Sequence, residues 1–380
     1  EPLADGSTPL DQIHARLHSQ SWLENGCPIH HGYGAATLFW LSQENRLPRN
    51  TACVSSIADW LAGQLCGKLP QTDPTFAASW GVYNLVEGDW NQAHLDILGL
   101  EPALLPPVRP SGERLGGLSS EIAQVVGLPE GTPVFSAFGD TQASFLGSVA
   151  RPEDTLLCNM GTGGQICWMV PHFAPPSEVV ETRPLPDGRF LRMGASLCGG
   201  AAYAWLNRTV RAWLEVFGLQ LTEEAIYDHL NAAAMACKGG GGLRVRPTFL
   251  GSRAAYSEPA AQAGAIEGIT PENMRLGPLA RATLAGAVGE LYGLYQAHAT
   301  EVLGLEDLVA TGGAVRKNPL LPQMIADRFG LPVLVPRQTE AAAWGAAAFI
   351  SGARPPDEYR SLVLPTGVGY EPQTEENPHS

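Results

Sequence analysis

Apolar residues recur along the chain in two rhythms. Leu284, Val288, Leu291, Tyr295, Ala299 and Val302 follow one another at intervals of 4, 3, 4, 4 and 3 residues, which predicts one stripe of a long helix. Pro278 suits the first turn of that helix. In CVSSIADWLAGQL the spacing of Ile57, Trp60, Leu61 and Leu65 predicts a helix from Cys53 to Leu65 with that stripe in the core. AATLFWLSQ, between Tyr33 and Gln43, reads as a helix entering a core. The second rhythm is the short unbroken apolar run. PVFSAF is a strand that leads to Gly139-Asp140, followed by the small-residue helix TQASFLGSV. TLLCNM and QICWMV flank Gly161-Thr162-Gly163-Gly164, which predicts a hairpin. Phe190 to Met193 is a further strand.

The end of the chain reads as strand, helix, strand, helix. LEDLVAT is followed by Gly312-Gly313; Asn318 and Pro319 read as N-cap and first residue of PLLPQMIADRF; then come LPVLVP and the helix EAAAWGAAAFI. That order implies an α/β fold with a parallel or mixed sheet covered by helices. From about Arg354 the residues turn polar and Pro-rich and are expected to fray. With 380 residues, two domains are expected: 1–150 and 151–352, then a flexible tail, 353–380.

Composition narrows the class. Hydrophobic residues make 44% and charged residues 16%, which excludes intrinsic disorder. Asp+Glu 38 against Lys+Arg 24 gives −14, so neither a basic nucleic-acid face nor an anionic-membrane binder is expected. No run reaches the ~18 apolar residues of a membrane-spanning helix. The cysteines, Cys27, Cys53, Cys66, Cys158, Cys167, Cys198 and Cys237, form no C-x-x-C and sit in apolar company. Buried free thiols in a reducing cytoplasm are the expectation. No signal-peptide pattern opens the sequence as given.

Three places carry candidate chemistry. Asp140 stands where a strand gives way to a helix; the helix N-terminus would keep its carboxylate ionised, ready to accept a hydroxyl proton. Alternatively it only caps that helix. Gly161-Thr162-Gly163-Gly164 could turn backbone amides and a hydroxyl toward a phosphate, or be a plain hairpin turn. Gly312-Gly313 with Asn318 would allow a nucleotide to approach closely, or serve a turn that simply needs glycine. The run Gly239 to Gly242 reads as a loop entering a strand. There is no G-x-x-x-x-G-K-S/T, so a P-loop ATPase is excluded. GASLCGG has Cys198 where a nucleophile elbow needs glycine, FGD is not accompanied by H-R-D, and no H-E-x-x-H exists. A zinc site is not expected, and His30-His31 read as surface or loop residues.

Taken in order, four stretches resemble the FGGY family of carbohydrate kinases. DWLAGQLCGKLPQTDPTFAASWGVYNLVEGDW (59–90) resembles its D-x-L…G…T-D-x-S-x-A-S…W segment. FGDTQASFLGS resembles its G-D-x-Q-A-x-x-x-G, NMGTGGQI its second phosphate loop, and 311–352 its adenosine motif and closing helix. GASLCGGAAYAWL and PTFLGSRA are weaker matches between them, and coverage runs from about Pro28 to Gly352. YGAATLFWL, AASWGVYN and GDTQAS most resemble the family's sedoheptulose-phosphorylating branch; xylulose and glycerol kinases share the skeleton.

The resemblance implies two actin-like (ribonuclease H-like) domains with mixed sheets flanked by helices, and a cleft between them. The first domain would be incomplete. It implies ATP with Mg²⁺ as cosubstrate, a small sugar or polyol as acceptor, and no metal ligand from the chain itself. Asp140 would be the general base. Gly161, Thr162 and Gly163 would hold the terminal phosphates, and Gly312, Gly313, Lys317 and Asn318 would face the adenosine. Gly268 would line the same pocket, while Asp73 and Gln142 would touch the sugar or support its site. The family's opening D-x-G-T-S/T-x-x-K hairpin and its W-Q-D-x-R stretch are absent from this sequence. Two readings follow: an active kinase, or a truncated sugar- or nucleotide-binding relative that does not transfer phosphate. A homodimer is left open.

Overall fold

A computed structural model describes residues 6–17, 22–249, 264–301, 304–353 and 359–366. The chain opens on α1 (Pro9–Arg16), where Thr8 and Asp11 satisfy each other's backbone amides in a capping box. α2 (Gly34–Gln43) buries Ala35, Ala36, Leu38 and Phe39, the predicted core face. α3 (Ile57–Cys66) begins only after its N-cap Ser56, whose hydroxyl accepts from the Asp59 amide. Of its predicted stripe only Leu65 packs inward, partly buried against Ala62, Leu115 and Leu118; the other three face out. Asp59, Ala62 and Gly63 face inward, whereas Ile57, Trp60 and Leu61 are 77%, 47% and 52% exposed. The reason is a close approach: a Cβ on Gly63 would lie 2.7 Å from the Lys68 carbonyl oxygen. Only small side chains fit on that face, so those three turn outward.

α4 (Pro74–Ala77) is a single turn, followed by the paired strands β1 (Tyr83–Asn84) and β2 (Asp89–Trp90) and by α5 (Gln92–Leu98). β3 (Arg114–Gly117) and β4 (Pro133–Phe135) pair antiparallel on either side of α6 (Ser120–Val126). β4 ends at Phe135, short of the expected Phe138, so Ser136–Gly139 form a loop into α7 (Asp140–Ser148). Next, β5 (Thr155–Met160) and β6 (Gly164–Val170) make the predicted hairpin, with Met160 opposite Gly164. β7 (Val180–Pro184), β8 (Phe190–Ser196), α8 (Gly200–Val216) and α9 (Glu223–Met235) follow. The glycine run enters β9 (Arg244–Arg246), which pairs with β10 (Ala265–Glu267).

α10 (Leu276–Gln296) buries Leu284, Val288 and Leu291. It stops before Ala299, which lies in a 3-10 turn; Val302 falls outside the described residues. β11 (Asp307–Thr311) runs into α11 (Gly313–Lys317), then α12 (Leu321–Phe329), β12 (Val333–Pro336), α13 (Ala341–Ser351) and β13 (Tyr359–Val363). α12 thus starts at Leu321 rather than Pro319, although Asn318 Oδ1 accepts from the Leu320 amide at 3.0 Å in the turn before it. Gly312, at φ 99°, turns the chain straight off β11 into α11. Asn318 closes that short helix, its amide donating to the Ala314 carbonyl at 3.0 Å, and Pro322 sits in the first turn of α12. The expected frayed tail holds a strand instead: β13 pairs antiparallel with β12. Residues 354–358 and 367–380 lie outside the described ones.

The chain forms two compact units, 1–150 with 169–193 and 340–355, and 151–168 with 194–339 and 356–380. The first unit is built on a core of Ile13, Ile29, Phe39, Trp80, Leu95 and Leu98, fully or almost fully buried. Its β7 lies beside the opening residues of β8. In the second unit the strands are ordered β13-β12-β11-β5-β6-β8. β11 is parallel to both β5 and β12 while β6 and β13 are antiparallel to their neighbours, so the sheet is mixed. α10 packs against α8, α9 and α12. All seven cysteines are free, four of them buried.

α13 returns to the first unit and packs along α7. The contact is backbone to backbone. A Cβ on Gly345 would collide with the Ala143 carbonyl, and one on Gly147 with the Ala341 carbonyl. We expect Gly345→Val to destabilise the first unit by about 2–3 kcal/mol, read as a lower urea midpoint, with Ala342→Val on α13 as the reference substitution.

Candidate functional site

In the first unit Asp140 is the opening residue of α7 and is exposed. Its Oδ1 accepts from the Thr141 amide at 2.7 Å, and among the described residues its Oδ2 has no partner. Gln142, two residues along, is buried, donates from Nε2 to the Pro184 carbonyl at 3.3 Å, and turns its Oε1 toward Gly139. Asp73 is fully buried and N-caps α4 through the Phe76 amide at 2.9 Å. Its carboxylate also accepts from the hydroxyls of Thr75, at 2.8 Å, and Ser111. Thr75 in turn accepts from the Gly139 amide at 2.6 Å. Asp73 is thus placed in a supporting layer, linked by one hydroxyl to the loop that delivers Asp140.

Behind that layer lies Asp59, fully buried, with its Oδ2 accepting from the Ser56 hydroxyl at 2.9 Å. Its Oδ1 and the Thr72 hydroxyl are buried without a partner among the described residues. Burial, helped by the Asp73 charge, pushes its carboxyl up to about 6. A second buried group ties β7 to α2. Arg183 pairs with Glu181 at 2.7 Å and donates to the Ala78 carbonyl at 3.1 Å and to the Tyr33 hydroxyl. Burial works to raise Glu181, but Arg183 and His30 outweigh it and hold the carboxyl at about 2.

The second unit contains a cavity of about 740 Å³. Gly161, Thr162, Gly313, Lys317 and Asn318 line it, together with Gly199 and Gly200, Tyr203, Tyr227 and Asn231. The hairpin turn sits on the N-terminus of α8: Gly200 donates to the Gly161 carbonyl at 2.8 Å and Ala201 to the Thr162 carbonyl at 2.9 Å. A Cβ on Gly200 would lie 2.6 Å from that Gly161 oxygen, so the seat demands glycine. Among the described residues the amides of Gly161, Thr162 and Gly163 have no acceptor. Two of them, Gly161 and Thr162, line the cavity, and donors beside the positive end of a 17-residue helix suit an anion. Tyr203 and Tyr227 stack at 5.8 Å, and Asn231 Oδ1 accepts from the Tyr203 hydroxyl at 3.0 Å and from Asn318 Nδ2 at 2.9 Å.

Three predicted residues do not line this cavity. Gly163 packs on the Ser196 carbonyl, its Cβ position 2.8 Å away. Gly312 leaves no room for a side chain against Met160 and Asn159. Gly268, at φ 72°, closes the turn after β10, where Asn273 Nδ2 donates to its carbonyl at 2.8 Å and to that of Gly241 at 2.9 Å. Sequence reasoning missed Thr75, Ser111, Tyr203, Tyr227 and Asn231. Tyr227 and Asn231 were findable, being four residues apart on one helix face.

Residues 10–147 match the profile of the FGGY family of carbohydrate kinases, N-terminal domain, and residues 156–351 match that of its C-terminal domain. The chain belongs to the FGGY family of carbohydrate kinases. It is 28% identical over 368 residues to the sedoheptulokinase of Homo sapiens, covering 91% of this chain and 75% of that one. It is 30% identical to the sedoheptulokinase of Mus musculus over 83% of this chain and 66% of that one. The glycerol kinase of Thermus brockianus is 33% identical over 83% of this chain, which spans 62% of that enzyme. The fold is the two-domain FGGY kinase fold, of actin-like (ribonuclease H-like) type. The xylulose kinase of Rhodospirillum rubrum superposes with a TM-score of 0.80 at 22% identity, over 94% of this chain and 73% of that one.

The raised Asp59 carboxyl has a pH signature. A folded-state value above the unfolded one favours the fold as pH falls through about 6 toward 3.8 and costs stability as pH rises through that window. Asp59→Asn, which keeps an acceptor for Ser56, should therefore raise stability at pH 7 by an amount on the order of 2 kcal/mol. It should also flatten the dependence between the two values, measured as urea midpoints across pH.

Proposed function

We propose that this chain is an ATP-dependent carbohydrate kinase that moves the γ-phosphate of ATP to a hydroxyl of a ketose such as sedoheptulose. The observation that carries the reading is the Gly161–Gly164 turn: Gly161 and Thr162, whose amides have no acceptor among the described residues, line a cavity seated on a helix N-terminus. Such a cradle fits the terminal phosphates of a nucleotide. Lys317 offers a cation to the same cavity, and the Tyr203–Tyr227 stack with the Asn231–Asn318 amide pair offers an apolar wall and polar edge to a nucleoside. Mg²⁺ bound to ATP would neutralise charge on the phosphates.

Asp140 is the general base. Its Oδ1 is held by the Thr141 amide, which leaves Oδ2 to accept the proton of the attacking sugar hydroxyl. Because phosphoryl transfer is loose, holding the hydroxyl in line and withdrawing its proton late is the chief demand on this residue. Gln142 and Asp73 act as supports of that site, given their burial and inward hydrogen bonds. Sedoheptulose is placed first because of the two sedoheptulokinase relatives; xylulose and glycerol are the alternative acceptors, named for the other relatives.

ADP release with Mg-ATP should depend on added sugar, and be fastest with sedoheptulose in a panel with xylulose and glycerol. Asp140→Asn should lower kcat by about 10²–10⁴-fold and leave ATP binding, followed by calorimetry, largely unchanged. Retained ATP binding with no sugar-dependent turnover in the unaltered chain would replace the kinase reading with a nucleotide-binding role.

A further inference from the structure

Asp140 is exposed and its own carboxylate is tied only to the next residue, through the Thr141 amide at 2.7 Å and, more loosely, the Thr141 hydroxyl at 3.4 Å. What fixes its backbone lies one residue earlier. The Gly139 amide donates to Thr75 Oγ1 at 2.6 Å, and the Thr75 hydroxyl donates its proton to Asp73 Oδ1 at 2.8 Å. Burial raises the Asp73 carboxyl, and the donors around it work against that: the Ser111 hydroxyl, the Phe76 amide and the Thr75 hydroxyl all end on it, as they would on a carboxylate that accepts. The hydroxyl of Thr75 therefore has one orientation, proton toward Asp73 and lone pair toward Gly139. The charge behind it strengthens it as an acceptor.

The start of the loop is held separately, at Ser136, whose amide donates to the Glu113 carbonyl at 3.0 Å and whose hydroxyl accepts from the Gly112 amide at 3.0 Å; next to Asp140, the Gly139 amide bonds to Thr75. Gly139 is crowded on its other side by Gln142 Oε1, with no room for a Cβ. The ring before it, Phe138, packs edge-on to Phe349 at 5.7 Å. Thr75 lies 64 residues from Gly139 in sequence, so the tie is tertiary and is not part of the helix cap itself. Valine would fill the same space as threonine but could neither accept from Gly139 nor donate to Asp73.

We infer that Thr75 is a positioning residue for phosphoryl transfer, acting through the Gly139 amide to hold Asp140 in line. The inference rests on the reading of Asp140 as general base, and its test separates the two. Thr75→Val, Thr75→Ser and Asp140→Asn are compared with the unaltered chain for kcat, KM for ATP, KM for the sugar and urea midpoint. Hydrogen exchange of the Gly139 amide is followed in the same set. Thr75→Val is expected to lose about 10–100-fold in kcat with KM for ATP unchanged and the Gly139 amide deprotected. Thr75→Ser, which keeps the hydroxyl, restores both. If Thr75→Val does not fold, Thr75→Ala takes its place, since it removes the hydroxyl without adding bulk. Full kcat in the hydroxyl-free variant beside an inactive Asp140→Asn overturns the role of Thr75 and leaves the base in place. Unchanged turnover in Asp140→Asn, or no sugar-dependent turnover in the unaltered chain, overturns the base and this inference with it.

Discussion

Where α7 crosses α13, the two backbones meet with no side chain between them. Gly147 faces the Ala341 carbonyl and Gly345 faces that of Ala143. A helix advances about 1.5 Å per residue, so the crossing stands roughly 10 Å from the first residue of α7. A rigid rod pinned that near its end has little freedom to tilt at the other. The opposite end is pinned by a hydroxyl from α4. The placement of Asp140 is thus set by two independent constraints, one steric and one polar, and neither uses the aspartate's own side chain.

The second unit solves its problem with backbone alone. The carbonyls of Gly161 and Thr162 take up the first amides of α8, which would otherwise stand unpaired. Their acceptance turns the peptide groups so that the amides of the same turn are left without partners. One set of donors is satisfied, and the amides of Gly161 and Thr162, residues that line the cavity, have no acceptor among the described residues. Glycine at 199 and 200 is the condition for this, because a side chain there would strike the Gly163 or Gly161 carbonyl.

Much of this was legible from periodicity. The hairpin could be read because two apolar runs flank a glycine turn, and α10 because its stripe keeps one face over three turns. Family motifs placed Asp140 on the opening turn of its helix and Thr162 in the turn. What could not be read depended on distances between segments far apart in sequence. Three residues of the α3 stripe point outward because Gly63 meets the backbone near Lys68, a closeness that spacing does not encode. α12 starts later than expected, at Leu321, yet Asn318 Oδ1 still accepts from the Leu320 amide in the turn that leads into it, while its Nδ2 bridges to Asn231, 87 residues away. Thr75 drew no notice because a hydroxyl in a one-turn helix looks like ordinary surface chemistry until the Gly139 amide is seen to end on it.

The first unit is written in three pieces, and its last, 340–355, is made long after the first, 1–150. On the ribosome α7 must therefore wait for α13. At synthesis rates of about 5–20 residues per second the delay is on the order of 10–40 s. During that time the small-residue face of α7 has nothing to lie against, and the helix that carries Asp140 is held only from its loop end. Folding of this unit cannot finish vectorially, from N-terminus to C-terminus; it closes backward, when the final helix arrives. A premature stop anywhere between Ala150 and Ala341 would leave the whole 1–150 segment present and still remove the partner on which its key helix rests.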